Sequence, residues 1–273
     1  EAVMNFNKFL SLPAARKTDV YSYANYALAY AAFRNDNYNT AANYFERFLA
    51  SGGKDGIELN TRNDAVARLA DSYFGAKNYG RALEQYNKLI SANAQSQDYA
   101  LFQRGIIQGL QGNNEAKLAT LASVIQKFPK SNYADDVAFE VPYTHFLTGN
   151  NEAAISGLQK MVEQYPRSSY VPRALVTIGL VQYNKDDNDG ALATFQRVVD
   201  QYATTDEAKQ AMRSIENIYL DKGDATGYIR YATSTNIGDL STAEQDAHTF
   251  AVAKNLFDRQ NYAGAVEAVN AYF

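Results

Sequence analysis

The 273-residue sequence has no cysteine and no tryptophan, and only 2 histidines and 5 prolines. Without cysteine there is neither a disulfide nor a thiolate metal site, and such a chain suits an oxidising or a reducing compartment equally. Two histidines leave little material for catalysis. Of His145 and His248, His145 falls on the inward stripe of a helical segment, which predicts a hydrogen-bonded core residue rather than a general base. No Ser-His-Asp set or carboxylate pair can be assembled, so no enzyme activity, cofactor or metal is expected. No run approaches the roughly 20 apolar residues of a membrane span. Lysines and arginines are scattered singly in a chain of net charge -4, so there is no basic stripe and nucleic acid is not an expected partner. Scarce proline leaves the chain free to be helical.

What is abundant is periodic. From Ser168 to Tyr202 the chain shows one complete unit. Ser168, Ser169 and Pro172 mark a helix entry, since hydroxyls can cap and proline loses nothing in a first turn. Leu175, Ile178, Gly179 and Gln182 then share one helical stripe, with Gly179 allowing a second backbone to approach. Asn184 to Gly190 breaks the pattern, after which Ala191, Phe195, Val198 and Val199 form the stripe of a second helix. The result is a helical hairpin that cannot bury its own apolar face alone.

The copies can be counted by the residue that opens each second helix: Ala2, Ala41, Ala82, Lys117, Ala154, Ala191, Tyr228 and Ala265. Subtracting neighbours gives spacings of 39, 41, 35, 37, 37, 37 and 37. Four residues later come Phe6, Phe45, Tyr86, Leu121, Leu158, Phe195, Ala232 and Val269. Twelve residues before the seven later openers stand Ala29, Ala70, Gly105, Pro142, Gly179, Glu216 and Ala253.

With Pro129 and Pro166 ending helices, and Leu69, Ala70, Tyr73, Ala82 and Tyr86 in order, the chain resembles tetratricopeptide-repeat proteins from end to end. It departs from the pattern at Lys117, Pro142, Glu216, Tyr228 and Ala232. The near-37 period and Tyr165 to Tyr170 look more like the tetratricopeptide proteins of Gram-negative outer-membrane assembly and Tol-Pal systems than like cytosolic co-chaperones. The resemblance implies an all-α, right-handed α-α superhelix, a solenoid of stacked hairpins. Hairpins are expected at 20–50, 61–92, 96–128, 132–165, 169–202, 205–235 and 242–273, with 1–13 the second helix of an incomplete repeat and the whole a fragment of a longer array.

Other motifs dissolve on inspection. The glycines at 52, 53 and 56 lack the spacing and the Lys-Ser or Lys-Thr of a phosphate loop, since Lys54 is followed by Asp55. Asp186 to Gly190 suggests a calcium loop, but with Gly190 as its glycine the first ligand is Lys185 and the last is Gln196, so it reads as an inter-helix turn. Gly105, Gly109 and Gly112 follow no strand and read as packing glycines. Thr61 with Asp64, Thr204 with Glu207 and Ser241 with Glu244 predict capping boxes. Pro142, inside a helix, predicts a bend.

The expected function lies on the surface. First helices of stacked hairpins line a concave wall, and the residues next to each packing anchor point into it. That rule selects Tyr23, Tyr26, Tyr30, Phe33, Phe74, Phe102, Ile106, Phe139, Tyr143, Phe146 and Tyr183, with Leu180 beside the last. The pairs Tyr26/Tyr30, Ala67/Asp71, Phe102/Ile106 and Phe139/Tyr143 lack the lysine and asparagine with which relatives clamp a terminal carboxylate, and only Arg213/Asn217 comes near. A tyrosine-edged groove suits a protein or peptide partner. The expectation is a non-catalytic interaction scaffold in the periplasm or cell envelope of a Gram-negative bacterium, with self-association left open. The alternative function is a regulatory or sensor segment of a multidomain protein with an enzymatic or DNA-binding domain elsewhere, and the alternative location is the cytoplasm.

Overall fold

The computed structural model describes residues 1–18, 20–51, 58–235 and 242–270, apart from the side chains of residues 225, 242, 244, 245 and 248. The glycine cluster at 52–56, the Ser241/Glu244 cap and the His248 side chain therefore lie outside the described residues. Fifteen α-helices and one 3₁₀ turn are present among those described, with no strand. The single helix α1 (Ala2–Leu10) leads into pairs: α2 (Val20–Arg34) with α3 (Tyr38–Ala50), α4 (Leu59–Gly75) with α5 (Tyr79–Ser91), and α6 (Gln97–Leu110) with α7 (Asn114–Lys127). The pairs continue as α8 (Ala134–Leu147) with α9 (Asn151–Gln164), α10 (Val171–Asn184) with α11 (Asn188–Gln201), α12 (Asp206–Lys222) with α13 (Ala225–Ser234), and α14 (Thr242–Asp258) with α15 (Tyr262–Asn270). The chain divides into two compact units, Glu1–Val137 and Ala138–Phe273, the division falling inside α8.

One turn design joins every pair. A residue in the left-handed region ends each first helix: Asp36, Lys77, Gly112, Gly149, Asp186, Gly223 and Gln260. The next residue, always Asn or Asp, donates its backbone N–H to the carbonyl five residues back, as in Asn78 to Tyr73 at 2.8 Å and Asp187 to Gln182 at 3.0 Å. This closes the first helix while the same residue opens the second. The Asp187 side chain accepts from the Gly190 N–H at 3.0 Å, so the calcium-like segment is a helix cap.

Each unit has its own apolar interior. In the first, Phe45, Tyr86 and Leu89 from second helices meet Ala29, Leu69 and Ala70 from first helices. In the second, Leu158, Phe195 and Val198 meet Ile178, Ile215 and Ile218. The openers Ala41, Ala82, Ala154 and Ala191 are fully buried, because only a small side chain fits where paired helices cross. A Cβ on Gly179 would lie 2.6 Å from the Phe195 ring, so the large residue of the second helix occupies the space the glycine leaves.

Two local expectations need correction. The helix α4 begins at Leu59 with Glu58 as its cap position, so Thr61 and Asp64 are inside the helix and form no capping box. Thr205, not Thr204, caps α12: its hydroxyl accepts from the Ala208 N–H at 3.2 Å. Pro142 lies inside helix α8, as its place in the repeat predicts. The proline is buried against α9, where a Cβ on Gly157 would come within 2.5 Å of the Pro142 Cβ. The bulk of the proline is matched by an absence of bulk on its partner.

Candidate functional site

In the first unit the tyrosines of α2 are tied to the next hairpin rather than left as free rings. Tyr26 and Tyr30 both donate their phenols to Asp64 of α4, the Tyr26 bond measuring 2.7 Å, and their rings meet edge to face at 5.0 Å. Burial, then the bond to Asp64, pushes both phenols above their ordinary range. Behind them Asp71 is buried and accepts from Tyr86 and Tyr99 at 2.6 Å each and from Arg68 at 2.5 Å. Burial raises the Asp71 carboxyl and these three donors oppose it.

Between α4, the start of α6 and the start of α8 lies a cavity of about 340 Å³, wholly within the first unit. Ala67 forms part of its lining beside Asp64, Arg68, Asp98, Tyr99 and Tyr133. Asn60, Asn63, Gln95 and Asn132 also line it, and their amides make no hydrogen bond among the described residues. Of the expected groove residues, Tyr23 is well exposed beside Phe6 of α1, and Phe33, Phe74 and Ile106 are half-buried. Phe102 is a correction: it is 8% exposed, stacked on Tyr133 at 5.4 Å, and supports the cavity from behind.

The second unit carries a separate aromatic column. Phe139 is stacked between Tyr143 at 5.2 Å and Tyr170 at 4.7 Å, and Phe146 continues from Tyr143 at 5.9 Å. Phe139 is 0% exposed, so it too is corrected from groove surface to support. Arg173 of α10 lays its guanidinium over both rings, 5.2 Å from the Phe139 centroid and 4.6 Å from that of Tyr143. Tyr183 donates to Asp221 at 2.5 Å, and that bond, with burial, pushes its phenol up to about 12. His145 is half-buried and its ring makes no hydrogen bond among the described residues, unlike the satisfied core histidine expected from its position.

A register rule unites these contacts. Asp64, Tyr99 and Arg173 occupy the same place in the second, third and fifth hairpins, and each meets the preceding first helix at the places held by Tyr26 and Tyr30, by Asp71, and by Phe139 and Tyr143. The sequence rule found the aromatic members because it selected for large apolar residues. It missed Asn60, Asn63, Arg68, Asn132 and Arg173, which are polar. It also stopped two repeats early: Phe250 and Phe257 of α14 stand at the places of Phe139 and Phe146, are 70% and 59% exposed, and line an apolar groove with Tyr262 and Val266.

Paired helices in register, with side chains of first helices forming a lined face, define an all-α helical-repeat protein of the solenoid class. More particularly, residues 99–131 and 173–205 match the tetratricopeptide repeat family model, so the chain contains tetratricopeptide repeats. No curated protein matches it in sequence. Among solved structures it is similar to a tetratricopeptide repeat protein from Parabacteroides merdae, at 11% identity and TM-score 0.59, over 92% of this chain and 91% of that one. It is similar to PilW, described as a type IV pilus biogenesis factor, at 16% identity and TM-score 0.59, over 83% of this chain and 97% of PilW. YrrB, described as a TPR protein with an unusual peptide-binding site, aligns at 15% identity and TM-score 0.51, over 76% of this chain and 97% of YrrB. At such identities the likeness concerns the fold.

Proposed function

We propose that this chain is a non-catalytic interaction module that holds an extended segment of a partner protein against its first-helix faces. The observation that carries this reading is the cavity edged by Asn60, Asn63, Gln95 and Asn132. A primary amide offers two donors and an acceptor, the groups that repeat along a peptide main chain, so a row of them suits a backbone without dictating its sequence. Tyr23, Tyr26, Tyr30, Phe33, Phe74 and Ile106 in the first unit, and Tyr143, Phe146 and Tyr183 in the second, supply apolar area with little rotamer entropy to lose. The described peptide-binding site of YrrB, on the same fold, supports a peptide as ligand. The likeness to a pilus biogenesis factor supports a place in the cell envelope. No helix among the described residues is long and apolar enough to cross a membrane.

The test is selection of random dodecapeptides on the immobilised chain, followed by titration of the synthesised peptides against Asn63→Ala with Asn132→Ala. Loss of two amide contacts should weaken binding about tenfold or more, with an unchanged melting temperature. Peptides that bind the double variant as tightly as the parent overturn the reading.

A further inference from the structure

The place in the repeat held by Asp64, Tyr99 and Arg173 shows a contrast in how charge is satisfied. Asp64 accepts two phenols, and Tyr99 gives its phenol to Asp71. Arg173 has no counter-charge: its guanidinium meets only the faces of Phe139 and Tyr143 and makes no ion pair or hydrogen bond among the described residues. It is nonetheless held in place. Phe139 is buried and locked between Tyr143 and Tyr170 at stacking distance, so the surface beneath the arginine is rigid. The two rings hold the guanidinium carbon at close range while the exposed Arg173 keeps N–H donors within reach of solvent. The Tyr143 hydroxyl beside it makes no hydrogen bond among the described residues.

We propose that Arg173 and Tyr143 form an anchor for an acidic side chain, aspartate or glutamate, of the partner segment. A planar guanidinium matches a carboxylate in two parallel bonds, and pre-orientation by the rings removes most of the rotamer entropy that such a contact otherwise costs. The apolar neighbours Phe146 and Leu180 lie on the same first-helix faces, so the anchor fits an acid flanked by apolar residues. With a net charge of -4 the chain as a whole repels acidic peptides, so acid preference here is local rather than a general electrostatic attraction. The anchor rests on the peptide-binding reading above and adds the chemistry of one ligand position.

The experiment uses the whole chain and the same random dodecapeptide library, with selected peptides made in acetylated and amidated form to remove their terminal charges. Peptides selected on the parent chain should be enriched in Asp or Glu next to an apolar residue. Arg173→Gln should weaken them about tenfold, and Arg173→Lys, which keeps charge but loses the planar fork, should fall between. Replacing the peptide's acid by its amide should cost the parent the same factor and cost Arg173→Gln nothing further. Acid-containing peptides that bind Arg173→Gln as tightly as the parent overturn the anchor and leave the binding reading standing. Binding that depends on the free peptide carboxyl terminus also overturns it, and failure to select any peptide removes both.

Discussion

Replacing Asp71 by alanine should be among the most damaging single changes in the first unit, and the structure gives the size of the effect. Asp71 is 8% exposed and accepts from Tyr86, Tyr99 and Arg68. Tyr86 is 0% exposed, so its phenol is left without an acceptor, at about 1–3 kcal/mol. Tyr99 and Arg68 border the cavity and can turn to water, so their losses add about 1 kcal/mol together. The expected cost is about 2–4 kcal/mol. Because burial already disfavours the Asp71 charge, removing its main dependent as well should return much of the loss. Asp71→Ala with Tyr86→Phe should therefore be about 1–2 kcal/mol more stable than the sum of the single changes. Urea denaturation followed by circular dichroism, with slopes compared so that a change in cooperativity is not mistaken for stability, measures the cycle. A cost below about 1 kcal/mol for Asp71→Ala, or strict additivity, would refute the network account.

Gly157→Val should cost about 1–3 kcal/mol through collision with the Pro142 Cβ, and because alanine keeps that atom, adding Pro142→Ala should relieve only part of it; a melting temperature for Gly157→Val equal to the parent's would contradict the packing described. Thr205→Ala should cost about 1 kcal/mol and Thr204→Ala close to nothing, a distinction that thermal melts of the two variants can make. Alkaline pH should unfold the chain. Tyr26, Tyr30, Tyr86, Tyr99 and Tyr183 have phenols raised above the ordinary value of 10.0, so their contribution is complete below that pH and is lost as pH rises through their folded values. For Tyr183 that window runs from 10.0 to about 12. Ultraviolet absorbance should show exposed tyrosines ionising before the helical signal falls and the buried ones with it; ionisation of all tyrosines without loss of helix would contradict the raised values.

The fold was legible because repeated packing constraints leave repeated residues. Alanine at 41, 82, 154 and 191 and its large neighbour four places on record where helices cross, and the crossing recurs. Single-residue features were less legible. Asp64 looked like a cap because Thr61 precedes it by three, yet its role depends on Tyr26 and Tyr30, more than thirty residues away. Phe139 was read as surface by its place in the repeat, but Tyr170 from the next hairpin's entry covers it. Arg173 and the amides of the cavity carry no signal in a single sequence, because an exposed polar residue on a helix is the ordinary case.

The contact between successive first helices makes the order of the hairpins part of their chemistry. If the α4–α5 hairpin were duplicated in tandem, the second copy's Asp64 would meet Ala67 and Asp71 of the first in place of two phenols. Two carboxylates would then be brought together beside Arg68, in place of a carboxylate and two phenols. A tandem copy of α10–α11 would set its Arg173 on Val176 and Leu180, an exchange of rings for aliphatic stems with no like charge opposed. The array can therefore lengthen by copying some of its members and not others. Length variants that arise by unequal duplication should carry extra copies of the later hairpin far more readily than of the earlier one.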